Sequence, residues 1–434
     1  MSENKKMELN MSGLDLDISE DKKIESSYDV VNDDEVLKDI TSSTKLKLNA
    51  EEKKKLENSK KTKKTKNIIT DVDLNYEFNE KDLKLCNELQ GSLDSFMADK
   101  ADLDAGTGIV ETLPTGIDLL DAILGGGFGV GKFSMICGNP GTFKSALVAQ
   151  CIGSSQRKYK GKLMSSYMDS ENSMSTDRLA QMGAKYPHIK PYDDVTVESI
   201  FRAVECHCAF KELKSLSHIP SIVAWDSIAN TITQKEKESD TDNINSIIGL
   251  KARILSIVLP KYINKMTNYN VTLLAINQLR EKLDMGMFTA AADLKWMGNK
   301  TIPGGQALKF NAFHLLMLQV KSDIKTEQFG FSGVELEAKC IKNKLFKPNV
   351  PIKLMVNFNT GVSNFWTNYK LLTTYKVMKT GAWNTLITMP EKKFRTNQAE
   401  IIYNNNEDGF KDKFDEAVKK TIKLEIIDKY KPKL

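Results

Sequence analysis

Gly138, Asn139, Pro140, Gly141, Thr142, Phe143, Lys144 and Ser145 follow one another at the spacing of a phosphate-binding loop, G-x-x-x-x-G-K-[ST]. One letter is irregular: Phe143 stands where the second glycine belongs. Such a loop wraps phosphates with successive backbone N–H groups and the positive end of the helix behind it. Lys144 is then expected to reach the β- and γ-phosphates of ATP, and Ser145 to ligate Mg²⁺. The alternative is a chance Gly/Lys/Ser turn. The flanks speak against it, because Phe133–Cys137 has the composition of a buried strand and the segment from Ala146 to Ile152 that of a helix.

Three further strand ends carry polar chemistry. Ile222–Trp225 is apolar and closes on Asp226, a carboxylate suited to share the Mg²⁺ sphere with Ser145. Tyr167-Met-Asp169-Ser-Glu171 closes another. Glu171 is the candidate for orienting and deprotonating a water in line with the γ-phosphate. A helix cap at Asp169 or Ser170 is the plainer reading of that segment. Ala275–Gln278 closes a third strand, and Gln278 can hydrogen-bond the γ-phosphate and report its presence to the segment behind it. That segment is the long stretch from Leu279 to Pro303, where Arg280, Lys282, Lys295 and Lys300 stand among Met285, Phe288, Trp296 and Met297. Cations for phosphates and flat groups for bases suit single-stranded nucleic acid. A loop of this length inside a compact domain is either functional or mobile. Gly304 and Gly305 then permit close approach of backbone to a ligand. Lys342 and Lys344 end a strand and read as exposed charges, unless a neighbouring subunit's nucleotide lies opposite.

These groups need a scaffold that brings strand ends together. Short apolar runs at Phe133–Cys137, Leu163–Met168, Ile222–Trp225, Val271–Ile276, His314–Val320 and Val334–Lys342 alternate with helical segments. That alternation predicts an α/β fold with a mostly parallel sheet, its ligands at the carboxyl ends of the strands. The last two strands are expected to extend the sheet in antiparallel fashion. Around this core, spanning 110–362, the composition divides the chain further. Residues 1–75 read as a disordered charged extension, and 76–109 as an amphipathic helix with a linker. Residues 363–434 read as a small C-terminal α+β domain with a helix over Lys411–Ile422 and a basic end.

Composition sets outer bounds. The 434 residues are 41% hydrophobic and 27% charged with a net charge of +5, so nucleic-acid binding is permitted but not demanded. No apolar run approaches the roughly 20 residues of a membrane span, and the polar, acidic start does not read as a secretory signal. Six scattered cysteines suit a reducing cytosol. Cys206, His207 and Cys208 are neighbours that a helix would point apart, which argues against zinc. From Lys53 to Lys66 eight lysines face one glutamate, a tract that either touches phosphates or is a solvated linker.

Taken in order, Leu113-Pro-Thr-Gly116 with Leu119-Leu-Asp121, the phosphate loop, Asp169-Ser-Glu171, Asp226-Ser227, Ile276-Asn-Gln278, Gly304-Gly-Gln-Ala-Leu-Lys-Phe310 and Lys342-Asn-Lys344 resemble the RecA recombinase family. Within it the chain looks closest to UvsX-type phage recombinases, whose loops look the same at Phe143. The resemblance covers about 110 to 360 and continues more weakly beyond. It implies an ATP- and Mg²⁺-dependent recombinase that forms helical filaments on single-stranded DNA, pairs it with double-stranded DNA and hydrolyses ATP when DNA is bound. The setting implied is a bacterial cytosol, or a phage's host cell, with single-stranded-DNA-binding and loading proteins as partners. Glu171 looks like the catalytic carboxylate and Gln278 like the γ-phosphate sensor. Lys342 and Lys344 look like the pair that reaches the neighbouring protomer's ATP. The region from Ile232 to Ile248 looks like a first DNA loop, with Ile248 as a wedge between base triplets and Arg253 on phosphate. Leu279 to Pro303 looks like the second, with Arg280, Gly304 and Gly305 near the DNA backbone. Phe96 is a loose match to an oligomerisation anchor.

Departures accompany the resemblance. The second loop is longer than in bacterial RecA and has its own aromatic residues. Arg178 stands where an aromatic often covers adenine. Lys429 to Leu434 is basic where bacterial RecA ends in an acidic tail. Two other readings share the motifs: a hexameric helicase on the same core, and an ATP-gated filament or mediator that hydrolyses slowly.

Overall fold

The computed structural model describes residues 110–184, 188–189, 195–239, 249–281 and 300–430, with Lys84 before them. The expectations for residues 1–75, for the helix around Phe96, and for Ile248, Phe288 and Trp296 lie outside the described residues.

Among the described residues nine strands form the main sheet: β1 (Phe133–Gly138), β2 (Met164–Asp169), β3 (His188–Ile189), β4 (Ser221–Asp226), β5 (Val271–Gln278), β6 (His314–Ile324), β7 (Gly333–Asn343), β8 (Pro351–Asn357) and β9 (Gly361–Ser363). Their spatial order is β9-β8-β7-β6-β1-β5-β4-β2-β3. The strands from β6 to β3 run parallel, and β7, β8 and β9 are antiparallel.

The two-residue period of a strand explains why the central strands β1, β4 and β5 read as largely apolar runs. In β4, Ile222 and Ala224 join Leu274 and Leu147 in one buried core, while Val223 and Trp225 join Leu273, Phe201 and Leu259 in another. A sheet covered on both faces needs apolar side chains at every position. The covering helices are α1 (Asp118–Leu124), α2 (Lys144–Lys158), α3 (Thr176–Gln181), α4 (Val197–Leu213) and α5 (Leu250–Asn268), followed by α6 (Gln306–Asn311), α7 (Asn364–Thr374) and α8 (Phe410–Ile422). Lys211 of α4 is fully buried, and its Nζ donates to the carbonyls of Tyr269 (2.6 Å) and Asn270 (3.0 Å). It thereby satisfies the C-cap carbonyl of α5 at Tyr269 and shares the Asn270 carbonyl with the Ser221 N–H, and burial pushes its pKa down to about 8. Cys206, His207 and Cys208 lie together on α4, where Cys206 is exposed and Cys208 buried.

The strand directions correct one expectation. Only the second of the last two core strands extends the sheet in antiparallel fashion. β6 runs parallel to β1, from His314 opposite Ser134 to Leu318 opposite Gly138. A long segment containing α6 leads from β5 to β6, long enough for the crossover that parallel strands require. The link from β6 to β7 is short, and short links return antiparallel.

Beyond β9 the chain stays on the same core. α8 buries Phe410, Phe414, Ala417, Val418 and Ile422 along one stripe. Phe365 of α7 stacks on Phe414 at 5.2 Å and meets Tyr403 at 4.8 Å. A three-stranded ribbon of Met378–Lys379, Asn384–Leu386 and Met389–Phe394 lies between these helices in sequence. The buried apolar residues are continuous from Leu113 to Ile426.

Register is what matters for the site. Asp169 of β2 pairs with Asp226 of β4, and Gly138 of β1 with Gln278 of β5. Each pair of ends is level, and because Trp225 of β4 pairs with Ala275 of β5, Gly138 and Gln278 stand two residues beyond Asp169 and Asp226 on the same side of the sheet, the side where parallel α/β folds take their ligands.

Candidate functional site

The phosphate loop leaves β1 at Gly138, where a Cβ would meet Thr142 Oγ1 at 2.5 Å and the Leu318 carbonyl at 2.7 Å. No other residue fits there without displacing backbone. Gly141 takes φ +75 with open space where a side chain would be. Phe143 caps α2 at φ 58 and ψ 30, in the left-handed region. The irregular letter thus keeps the conformation for which the pattern uses glycine. That costs a non-glycine residue about 1–2 kcal/mol. The ring recovers a comparable amount, about 0.5–1.5 kcal/mol for an aromatic pair, by stacking on Phe358 at 5.8 Å and 17°.

Asn139 is half-buried, Pro140 is exposed and Ala146 is buried beneath the loop. Lys144 is 7% exposed, and its Nζ donates to the Asn139 carbonyl at 2.8 Å and to the Gly138 carbonyl and Thr142 Oγ1 at 3.3 Å each. Burial lowers its pKa, and the charge of Asp226 opposes the shift. The ammonium lies on the loop's own carbonyls, a short swing from anything the loop encloses.

Asp226 is 3% exposed. Its Oδ2 accepts from Ser145 Oγ at 2.6 Å and from Tyr167 Oη at 2.7 Å. Burial pushes its pKa up to about 6, although both hydroxyls pull the other way. A hydroxyl and a carboxylate, side by side at the start of α2, are hard oxygen ligands of the kind Mg²⁺ prefers. A cation there would also offset the penalty of burying the carboxylate. Ser145 and Asp226 fit the ion and would hold it.

The two carboxylates of Asp169-Ser-Glu171 have different work. Asp169 accepts the N–H of Glu171 (2.9 Å) on Oδ1 and those of Ser173 and Met174 (2.8 Å each) on Oδ2. Both its oxygens hold the turn, but neither Asp169 nor Ser170 caps a helix: α3 starts at Thr176, and its cap is Ser175, which accepts the Arg178 N–H. Glu171 is exposed, and its Oε1 accepts from Ser227 Oγ (2.8 Å), Asn230 Nδ2 (2.7 Å) and Gln278 Nε2 (2.8 Å). The amide from the third strand end thus meets the carboxylate from the second. Asn277, one residue earlier, turns inward and donates to the Pro303 carbonyl at 2.8 Å.

Past Gln278 the chain forms a two-stranded stem, with Arg280 opposite Thr301 and Glu281 opposite Lys300. Arg280 donates to the Ala229 carbonyl at 3.3 Å, and Lys300 Nζ to Asn139 Oδ1 at 2.8 Å. Arg253 is exposed on the first turn of α5. Gly304 and Gly305 have φ +95 and +85, and a Cβ at either would strike the chain's own Leu308 or Ala252. Their close approach is to neighbouring elements of the fold. The expectation for Lys342 and Lys344 needs correction in one respect. Lys344 is exposed, but Lys342 is half-buried and its Nζ donates to the carbonyls of Lys309 (2.8 Å) and Phe310 (2.5 Å), where the end of α6 needs donors. Arg178 is half-buried on α3, with Nη2 3.5 Å from the Phe358 carbonyl. Phe358, 44% exposed, lies between Arg178 and Phe143, and no sequence pattern points to it. The same holds for Ser227 and Asn230 as partners of Glu171.

Fold and site together define a P-loop α/β protein, with a hydroxyl–carboxylate pair, a second carboxylate and an amide gathered at the phosphate end. The RecA N-terminal domain family matches residues 97–363. The protein RecA of Leifsonia xyli subsp. xyli is 28% identical over 285 residues, covering 64% of this chain and 72% of the relative. That of Trichodesmium erythraeum is 28% identical over 276 residues, 63% of this chain and 70% of the relative. A solved structure of the RadB recombinase is similar over 58% of this chain and 98% of its own, at 19% identity and a TM-score of 0.39. The chain belongs to the RecA family.

Proposed function

We propose that this protein is an ATP-dependent DNA recombinase that assembles as a filament on single-stranded DNA, pairs it with homologous duplex, and hydrolyses ATP when DNA is bound. The observation that carries the reading is the hydrogen bond from Gln278 to Glu171, 2.8 Å long. It joins the candidate base of hydrolysis to the residue that opens the candidate DNA loop.

Ser145 and Asp226 would hold Mg²⁺, which would supply positive charge against the phosphates. Lys144 leaves the Asn139 carbonyl for the phosphates. Glu171 accepts a proton from the water whose oxygen attacks phosphorus, as the bond to the departing ADP oxygen breaks. Before that step, on ATP binding, Gln278 exchanges its bond to Glu171 for one to the γ-phosphate and shifts the stem behind it; hydrolysis reverses the exchange. Arg178 and Phe358 border the nucleobase. Arg253, Arg280 and the Gly304–Gly305 segment lie toward DNA, with Ile248, Phe288 and Trp296 supplied by the two loops. Lys342 and Lys344 act on the nucleotide of the adjacent protomer, for which Lys342 must leave the end of α6. The kinship with UvsX-type proteins, the modular division at 75, 109 and 362, and the oligomerising role of Phe96 belong to the same proposal. Among the described residues no helix is long and apolar enough to cross a membrane.

Electron microscopy of the protein with single-stranded DNA, Mg²⁺ and a slowly hydrolysed ATP analogue tests the assembly. Helical filaments that pair with homologous duplex are expected. Closed rings would place the chain with helicases instead.

A further inference from the structure

The stem behind Gln278 is tied to the phosphate loop at a second point, through residues that the proposed mechanism does not use together. Its outgoing strand begins just after Gln278, whose amide is on Glu171. Its returning strand carries Lys300, whose Nζ donates to Asn139 Oδ1 at 2.8 Å. Asn139 is the second residue of the phosphate loop, and its carbonyl accepts from Lys144 Nζ and Thr142 Oγ1, both at 2.8 Å. One asparagine is therefore held by its backbone to the phosphate-seeking lysine and by its side chain to the stem. When Lys144 turns to a phosphate, Thr142 and Lys300 are what still hold Asn139. A hydrogen bond from an ammonium is stronger than one between neutral groups, and Lys300 is half-buried, which limits screening by salt.

We infer that Lys300 is a positioning residue that couples the DNA loop to the phosphate loop through Asn139, in parallel with Gln278. The inference rests on the DNA- and ATP-binding roles proposed above. Coupling of this kind is reciprocal: DNA on the 279–303 loop tightens nucleotide binding by the same factor as nucleotide tightens DNA binding. A plain phosphate-contacting lysine would behave differently, because it would have no need of Asn139.

The test is the affinity of the full-length protein for a non-hydrolysable ATP analogue with Mg²⁺, measured with and without oligo-dT. DNA is kept well above each variant's own dissociation constant, so that a lost phosphate contact does not register. The ratio of the two affinities is the quantity read. Lys300→Met and Asn139→Ala should each shrink the ratio severalfold, and the double variant should shrink it no further, because both remove the same bond. Lys300→Arg, which can still donate to the amide, should keep part of the ratio. An unchanged ratio in either single variant, or losses that add in the double variant, would overturn the inference while leaving the recombinase reading intact. A wild-type ratio of one would overturn both. Circular dichroism and unfolding midpoints establish that each variant is folded.

Discussion

Asp226→Asn separates the cost of a buried charge from the use the protein makes of it. Both hydroxyls that reach Asp226, from Ser145 at 2.6 Å and Tyr167 at 2.7 Å, arrive on the same oxygen, Oδ2. An asparagine carbonyl accepts both, so the substitution keeps the bonds and removes the charge. Burial holds the carboxyl pKa at about 6 against an ordinary 3.8. With its pKa raised on folding, the native state binds the proton more tightly than the unfolded chain. The contribution to stability is then full below the unfolded value and is lost as pH rises through the folded one. A shift of about two units corresponds to roughly 3 kcal/mol, an upper bound because solvent relaxes around a titrating group. Without nucleotide, the variant should match wild type near pH 4 and exceed it above about pH 6, by up to roughly 3 kcal/mol. Equilibrium urea unfolding followed by circular dichroism, read as the difference between the two proteins at each pH, isolates the effect. Asp121, whose pKa burial pushes up to about 7, contributes equally to both and cancels. Saturating ATP and Mg²⁺ should reverse the order, because ligand stabilises by the logarithm of its concentration over its dissociation constant and the variant lacks the carboxylate proposed to hold the cation. If the nucleotide-free variant is the less stable protein near neutral pH, or the difference is flat across the range, burial does not govern this carboxylate.

Glu171→Gln should lower turnover by about 10²–10⁴-fold, the usual worth of a positioned base, and leave nucleotide affinity within a small factor, since its amide oxygen still accepts from Ser227, Asn230 and Gln278. Single-turnover hydrolysis checks it, and near-normal turnover would move the base elsewhere. Replacing Lys342 and Lys344 with alanine should abolish DNA-stimulated hydrolysis while each protomer still binds nucleotide. Mixing that protein with Glu171→Gln protein should restore part of the activity, and no rescue at any ratio in co-assembled filaments would count against a shared site. Binding to single-stranded DNA should weaken linearly on a log–log salt plot, with a slope of about −0.7 per phosphate neutralised, and depend little on base sequence. A salt-independent affinity would argue against cationic loops as the contact.

The strands and their ligand-bearing ends are legible in the sequence because a doubly covered sheet demands apolar runs, and a run that stops at Gly138, Asp169, Asp226 or Gln278 shows where it emerges. Phe143 is legible as an anomaly but not as a solution, because the stack that offsets its left-handed backbone comes from Phe358, more than two hundred positions on. Lys300 and Asn139 are hidden for the same reason: each is ordinary locally, and only the stem register brings them together. The direction of β6 departs from expectation because periodicity carries no sign of direction, which the length of the preceding connection decides. Lys342 reads as exposed because a strand pattern does not reveal that the end of α6 lies over it.

On the proposed function, DNA controls hydrolysis at this P-loop. Steady-state ATP turnover of the wild-type protein, with and without saturating single-stranded DNA, measures it directly. Turnover should rise severalfold with DNA, and the rise should vanish in Glu171→Gln. Turnover indifferent to DNA, in protein shown to bind both ligands, would contradict it.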